Sequence, residues 1–222
     1  MKLKRNKDYP GTLVVVEGID GAGKSTVINV LHDKVQRAFP NREVFRMKTP
    51  DGPIRKILLD KKEREEFPLD ADAEALLFAA CHAQMIATTM RPALQRGAIV
   101  LCDRFTFSTK AYQGFGRNNL VKVDALLESF LTRPEIDYLV FVDAPAAVCE
   151  KRLKARGDMD FLDSEAQEFK ERTRNGMLSL MEFEERGNPA FTRINNSSTL
   201  ERLEEMCQHW VNYYLLDIDD RR

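Results

Sequence analysis

Gly18, Gly23, Lys24 and Ser25 stand at the spacing G-x4-G-K-S, inside the stretch Glu17-Gly18-Ile19-Asp20-Gly21-Ala22-Gly23-Lys24-Ser25-Thr26. Glycines so placed let a backbone curl until its N–H groups point at phosphate oxygens, at the positive end of a following helix. The lysine then reaches the β- and γ-phosphates of a nucleoside triphosphate, and the hydroxyl after it meets Mg²⁺. A glycine turn that holds no ligand is the alternative, and the flanks argue against it. Residues 12–16 form an apolar, β-branched run suited to a buried parallel strand, and residues 24–38 carry Val27, Val30, Leu31 and Val35 at helical spacing.

A second acidic group is placed to join this loop. Residues 98–102 read as another buried strand, which runs into Asp103-Arg104. Ligands of open parallel sheets bind at the carboxyl ends of the strands, and Asp103 stands where an aspartate holds the Mg²⁺ shell. A phosphate loop alone does not choose among GTPases, ATPase motors and small-molecule kinases. The chain has no N-K-x-D stretch for reading guanine, and at 222 residues it lacks the accessory segments of a motor. A small kinase must hold a second, anionic substrate and exclude water, which calls for arginines and a closing segment. Arg104, Arg152, Arg156, Arg172 and Arg174 lie in suitable regions.

The elements that must position these groups alternate in kind. Strands are expected at 12–16, 43–47, 98–102, 138–142 and 191–194. Helices are expected at 24–38, 54–60, 73–90, 123–131, 146–155, 165–185 and 200–215, with Pro92 restarting the third of them. That alternation predicts an α/β fold, a parallel five-stranded sheet with helices on both faces. Leu76, Ala79, Ala80, Ala83, Ile86 and Met90 would form the apolar stripe of the 73–90 helix. Residues 61–66, all charged, read as a solvated helix end or loop, and 105–117 as a polar and aromatic loop or short helix. Asp143, at a strand end, reads as a cap for the next helix. Trp210, Val211, Tyr214 and Leu215 read as core packing.

Length and composition set the bounds. A chain of 222 residues, 43 % apolar, suffices for one domain, 1–222, with a sizeable core and a mobile lid segment at about 154–164. The net charge of −1 gives no reason to expect a nucleic-acid partner, and no apolar run is long enough for a membrane span. The basic start (Lys2, Lys4, Arg5 and Lys7, broken by Asp8) has no apolar segment behind it and reads as a solvated arm. Cys81, Cys102, Cys149 and Cys207 show no C-x-x-C spacing; reduced, buried thiols and a cytoplasmic location follow as expectations. His32 and His209 have no partners at metal-ligand spacing, so no metal is expected beyond nucleotide Mg²⁺.

Several stretches together resemble the thymidylate kinase family. The loop 17–26 is similar to its E-G-x-[DE]-G-x-G-K-[ST], and 103–117, DRFTFSTKAYQGFGR, to its D-R-[YF]-x-x-S-x-x-A-Y-Q-G-x-G-R. Weaker resemblance runs through 76–96, 141–156 and 169–174. The resemblance implies a P-loop NTPase-type, nucleoside monophosphate kinase-like fold that transfers the γ-phosphoryl group of ATP to dTMP, with Mg²⁺, in a homodimer. Gly18, Gly21, Ala22, Gly23, Lys24, Ser25, Thr26 and Arg152 would then hold ATP, with Ser25 and Asp103 serving the Mg²⁺. Asp20 would accept from the acceptor's 3′-hydroxyl and Arg104 would clamp its phosphate. Phe78 would stack on the base, Ser108 and Gln113 would lie beside it, and Tyr112 would crowd the 2′-carbon. Arg156 would be the lid arginine that meets the transferring phosphoryl group, because the loop position that otherwise carries an arginine is Gly21.

Two departures from the family pattern bear on specificity. His82 stands where the family commonly has a base-reading arginine, four residues after Phe78. It either donates to the base in the arginine's place or packs among neighbours without touching one. The lid's D-R-x-E is Asp160-Phe161-Leu162-Asp163 here, so that Arg156 works alone or with Lys154 or Arg152. Lys48 and Arg55 are candidates for the acceptor phosphate. Two readings compete with a dTMP kinase. One is a kinase of altered pyrimidine range, accepting dUMP or another monophosphate through His82. The other is a nucleotide-binding paralogue with weak or no catalysis, favoured only by the altered lid.

Overall fold

Every residue of the strand Thr12–Glu17 (β1) is buried, as expected of a strand covered on both faces. The computed structural model describes residues 9–130, 134–157, 160–197 and 199–215. The basic arm at 2–8, Leu131 at the end of one expected helix, residues 158–159 of the lid and Ser198 lie outside that range.

After β1 the chain forms Lys24–Ala38 (α1), Val44–Lys48 (β2), Gly52–Leu59 (α2) and Lys61–Glu66 (α3). Ala71–Met85 (α4) continues as a π-helical turn, Ile86–Met90, into Arg91–Gln95 (α5). Ile99–Asp103 (β3) leads to Thr106–Thr109 (α6), which runs on as π-helix through Lys110–Gly116. Leu120–Phe130 (α7), Tyr138–Asp143 (β4), Ala146–Arg156 (α8) and Gln167–Gly187 (α9) follow. Phe191–Asn195 (β5) and Leu200–Trp210 (α10), with its π-helical end Val211–Leu215, complete the described chain.

The five strands are parallel in the order β2-β3-β1-β4-β5. Alternate residues of the central strands feed two cores. Leu13, Val15, Val100, Cys102, Leu139 and Phe141 pack with α2, α4, α5, α7 and α9. Val14, Val16, Ile99, Leu101, Val140 and Val142 pack with α1, α8 and α10. The period of two along a strand is what divides them. The four cysteines are buried and free, and Trp210, Val211 and Leu215 are core, as their segment suggested.

The expected α/β architecture is the one observed, and its departures are local. Each strand runs one residue past its apolar stretch, to Glu17, Lys48, Asp103, Asp143 and Asn195. Ladder hydrogen bonds continue where hydrophobicity stops, so the polar residues at the carboxyl edge are held by the sheet itself. Of the two readings of residues 61–66, helix end or loop, the helix is the one observed; Asp60 caps it by accepting from the Glu63 N–H, and Arg64 is buried beneath it rather than solvated. On α4 the expected stripe is wrong in part. Leu76, Ala80 and Ala83 face outward, while Ala75, Phe78, Ala79, His82 and Met85 face in. The helix is apolar on both sides, so periodicity alone selects no face. Asp143 caps nothing; its carboxylate accepts from Arg193 at 3.0 Å.

Candidate active site

The parallel pairing of β1 with β3 sets Val16 opposite Asp103, so the glycine loop after one strand lies beside Asp103-Arg104 after the other. From these neighbours the chain departs in opposite directions, β1 toward β2 and β3 toward β4, which opens a crevice at their carboxyl ends. Glu17 fastens the two together. Fully buried, it accepts from the N–H groups of Phe105 (2.8 Å) and Ser108 (3.1 Å) and from the Ser108 hydroxyl (2.6 Å). Burial pushes its carboxyl up from the usual range, against those hydrogen bonds and Arg104.

The loop is shaped by close approach. Gly23 has φ +93°, and a Cβ there would sit 2.1 Å from Asn196 Nδ2, so only glycine fits. Asn196, buried, donates to the Ala22 carbonyl at 2.7 Å. Arg152 donates to Ala22 O (3.3 Å), Gly21 O (3.5 Å) and Asn196 O (2.9 Å). With the loop's carbonyls so occupied and no side chain capping α1, the helix's first N–H groups stay available to an anion. Lys24 folds back to donate to Ile19 O at 2.9 Å, and burial, with Arg104 nearby, lowers its pKa to about 8. Ser25 and Thr26 are exposed at the start of α1.

Arg104 occupies the centre. Its backbone has φ +65°, a conformation costing a bulky residue about 1–3 kcal/mol that persists only where the surroundings enforce it. Here Thr49 Oγ1 donates to its carbonyl (2.7 Å) and its own N–H donates to Val16 O (3.0 Å). The guanidinium donates to Gly18 O (2.8 Å), Ser108 Oγ (2.9 Å), Asp20 Oδ1 (2.5 Å) and Tyr112 OH (3.3 Å). Asp20 also accepts from Tyr112 OH at 2.5 Å. Burial opposes its ionisation, yet Arg104 and Lys24 hold the carboxyl well below the usual range. Asp103 is buried, and its Oδ1 has no protein partner.

A cleft opens beside Arg104. Asp20, Arg104, Phe78, His82, Ser108, Tyr112 and Gln113 all line it, together with Lys48 and Arg55. The sequence-expected acceptor residues therefore converge on one space. His82 is buried and shares a hydrogen bond between Nε2 and Thr109 Oγ1 at 2.9 Å; burial lowers its pKa to about 4, so the ring is neutral near pH 7. His82 Nδ1, Gln113 Oε1 and Arg55 Nη1 are buried without a protein partner. Ser108 differs, since its hydroxyl already serves Glu17 and Arg104.

Residues 160–164, in the segment expected to form a lid, border the outer side. Asp160 and Leu162 line the cleft. The Phe161 N–H donates to Leu59 O at 2.9 Å, and the Phe161 ring lies 4.2 Å from the Arg64 guanidinium of α3. Phe161, which from sequence was only added apolar surface, contacts α2 and α3, and Leu162 beside it is buried. Arg156 donates to Asp163 Oδ2 at 2.8 Å. Burial, with Asp20 and Asp160 nearby, pushes Asp163 up to about 6. Of the other candidate arginines, Arg172 is occupied by Gly116 O, whereas Arg174 lines a second cleft with Ile19, Asp20 and Asp163. Lys154 pairs with Glu150 on the surface.

Sequence reasoning gave no role to Glu17, Thr109 or Glu74, and set Asn196 only in the 195–198 turn that would border the adenine of ATP. Glu17 was visible as the first residue of the loop motif. Glu74 accepts from Gln113 and Arg117, an i, i+4 pair 39 and 43 residues away, and no local pattern pointed to it. Among the described residues no cluster of His, Cys, Asp and Glu could hold a metal by itself, and no helix is long and apolar enough to cross a membrane.

The thymidylate kinase family model matches residues 16–206. A thymidylate kinase of Pseudomonas fluorescens is 42 % identical over 177 residues, covering 76 % of this chain and 81 % of that protein. One from Thermosynechococcus vestitus is 32 % identical over 218 residues, covering 93 % and 89 %. One from Desulforudis audaxviator is 40 % identical over 179 residues, covering 77 % of each.

Proposed function

Because the chain belongs to the thymidylate kinase family, we propose that it transfers the γ-phosphoryl group of ATP to dTMP, giving dTDP and ADP, with the residues of this cleft in the following roles. One observation carries the reading: Asp20 of the glycine loop, Arg104 and a slot walled by Phe78, His82 and Gln113 open on one space. The ATP phosphates lie along the loop from Gly18 to Thr26, met by Lys24 and by the free N–H groups of α1, with Arg152 beside them. Lys24 exchanges its contact with Ile19 O for phosphate oxygens, which favours its charged form.

The residues fit an ion carried in with the nucleotide. The Asp103 oxygen is buried and unpartnered, and the Ser25 hydroxyl is exposed at the helix start, a donor set for a hydrated Mg²⁺ bound mainly through phosphate. When bound, that ion supplies neutralisation of charge on the β- and γ-phosphates. Arg104, with Arg55 and Lys48, holds the acceptor phosphate. Asp20, kept ionised, accepts from the sugar hydroxyl, and Tyr112 lies against the sugar. Phe78 stacks on the ring. With Thr109 donating to Nε2, the neutral His82 carries its proton on Nδ1 and donates to a base carbonyl, while Gln113 Oε1 accepts from the base. Arg156 leaves Asp163 to meet the transferring group. No covalent intermediate is needed, since catalysis is positioning and charge neutralisation.

The outward stripe Leu76, Ala80 and Ala83 on α4 supports a homodimer built on that helix. ADP release with Mg-ATP across dTMP, dUMP, dCMP, UMP and AMP tests the reading. Preference for dTMP is expected; silence across all five, with ATP still bound, overturns it.

A further inference from the structure

Glu74 lies one helical turn before Phe78 on α4, buried at 1 % exposure. Its carboxylate accepts from Gln113 Nε2 (3.1 Å), from Arg117 Nε (3.2 Å) and Nη2 (3.0 Å), and from Arg64 Nη2 (2.8 Å). Burial opposes its ionisation, but Arg117, Gln113 and Arg64 hold its pKa below the usual range, so it is an ion. An ionised carboxylate accepts hydrogen bonds and donates none. Of the two ends of the Gln113 amide, only the NH₂ can therefore face Glu74. The oxygen is turned the other way, buried and unpartnered, on a residue that lines the acceptor cleft.

We propose that Glu74 is a positioning residue for base selection: by locking the Gln113 amide, it presents an acceptor and no donor to position 3 of the base. A pyrimidine with an N3–H, thymine or uracil, completes that hydrogen bond. A 4-aminopyrimidine carries a lone pair at N3, which would be set against a second lone pair with no water to intervene. The inference rests on the proposed dTMP reading. His82 cannot enforce the same choice. The Thr109 hydroxyl can donate to Nε2 or accept from it, so Nδ1 can be either donor or acceptor. Discrimination between the two base classes therefore falls on Gln113, whose orientation belongs to Glu74. A site built to bond one group rejects the analogue lacking it strongly, because its own buried polar atom is left unpaired.

In E74Q the new amide can donate to Gln113 Oε1 and free its NH₂ to turn toward the cleft. The ratio of kcat/KM for dTMP to that for dCMP should fall about tenfold or more. The change should lie mainly in the two acceptor KM values, with KM for ATP unmoved. An unchanged ratio, or an equal loss for both acceptors, would make Glu74 structural and overturn the proposal. Should E74Q fail to fold, the wild-type protein decides by NMR. The Gln113 amide protons should stay protected by Glu74 with and without dTMP, and their release on adding dTMP or dCMP would overturn it. A wild-type protein that leaves dTMP unphosphorylated removes the kinase reading itself, while the amide measurement still judges the Glu74–Gln113 orientation.

Discussion

Buried polar atoms without protein partners say most about individual residues here. Asp103 Oδ1, His82 Nδ1, Gln113 Oε1 and Arg55 Nη1 are all in that condition, and in native proteins such groups are usually met by water, an ion or a ligand. His82 has a further consequence. Its folded pKa of about 4 lies below the ordinary 6.5 because burial disfavours the cation. The unfolded chain thus binds a proton that the folded one refuses between those values, and stability must fall as pH drops through that window. From pH 7 to pH 5 the expected loss is about 2 kcal/mol. Urea unfolding of wild type and H82Q at both pH values checks it; equal pH dependence in the two would contradict it. The residues expected to touch substrate were legible because a phosphate loop and an acceptor site demand particular types in short order. The contacts their anchors make were not. Glu17 reaches Ser108 across 91 residues and Asn196 reaches Ala22 across 174, distances over which no local pattern carries information.

Among the elements, strands were read nearly whole, because a strand buried on both faces is written as an unbroken apolar run. Helix faces were read less well. On α4 the outward alanines matched the inward ones in polarity, and on α3 an all-charged sequence hid a buried Arg64. That arginine gives the lid its landing place. The Phe161 ring lies 4.2 Å from the guanidinium, an interaction of about 1–2 kcal/mol when partly desolvated. F161A should raise KM for dTMP about fivefold to thirtyfold, from that energy. It should also increase ATP hydrolysis in the absence of acceptor, as the lid shields the loop less. Steady-state kinetics with and without dTMP measure both, and an unaltered KM would show that the lid is held elsewhere.

For the molecule as a whole, alternation of strands and helices was enough to foretell the parallel sheet. The order β2-β3-β1-β4-β5 was not, since neighbours in the sheet are separated in sequence by whole helices. One expectation concerns assembly. If α4 forms a two-fold interface, A83R should turn a dimer into a monomer in sedimentation velocity, with the melting temperature falling as partner contacts vanish. A wild-type protein that sediments as a monomer would refute this. Seen from both substrates, the molecule is unequal in stiffness. Asn196, after β5, and Arg152, on α8, pin the carbonyls of the phosphate loop, whereas the acceptor side is bordered by residues 160–164, held by the Phe161 ring on Arg64, the Phe161 N–H on Leu59 O and the burial of Leu162. The donor half is thus a cast, and if residues 154–164 move as a lid the acceptor half is a hinge. On that reading, compounds that imitate ATP meet a preformed loop, while those that imitate the acceptor are ranked by how long they keep the roof shut.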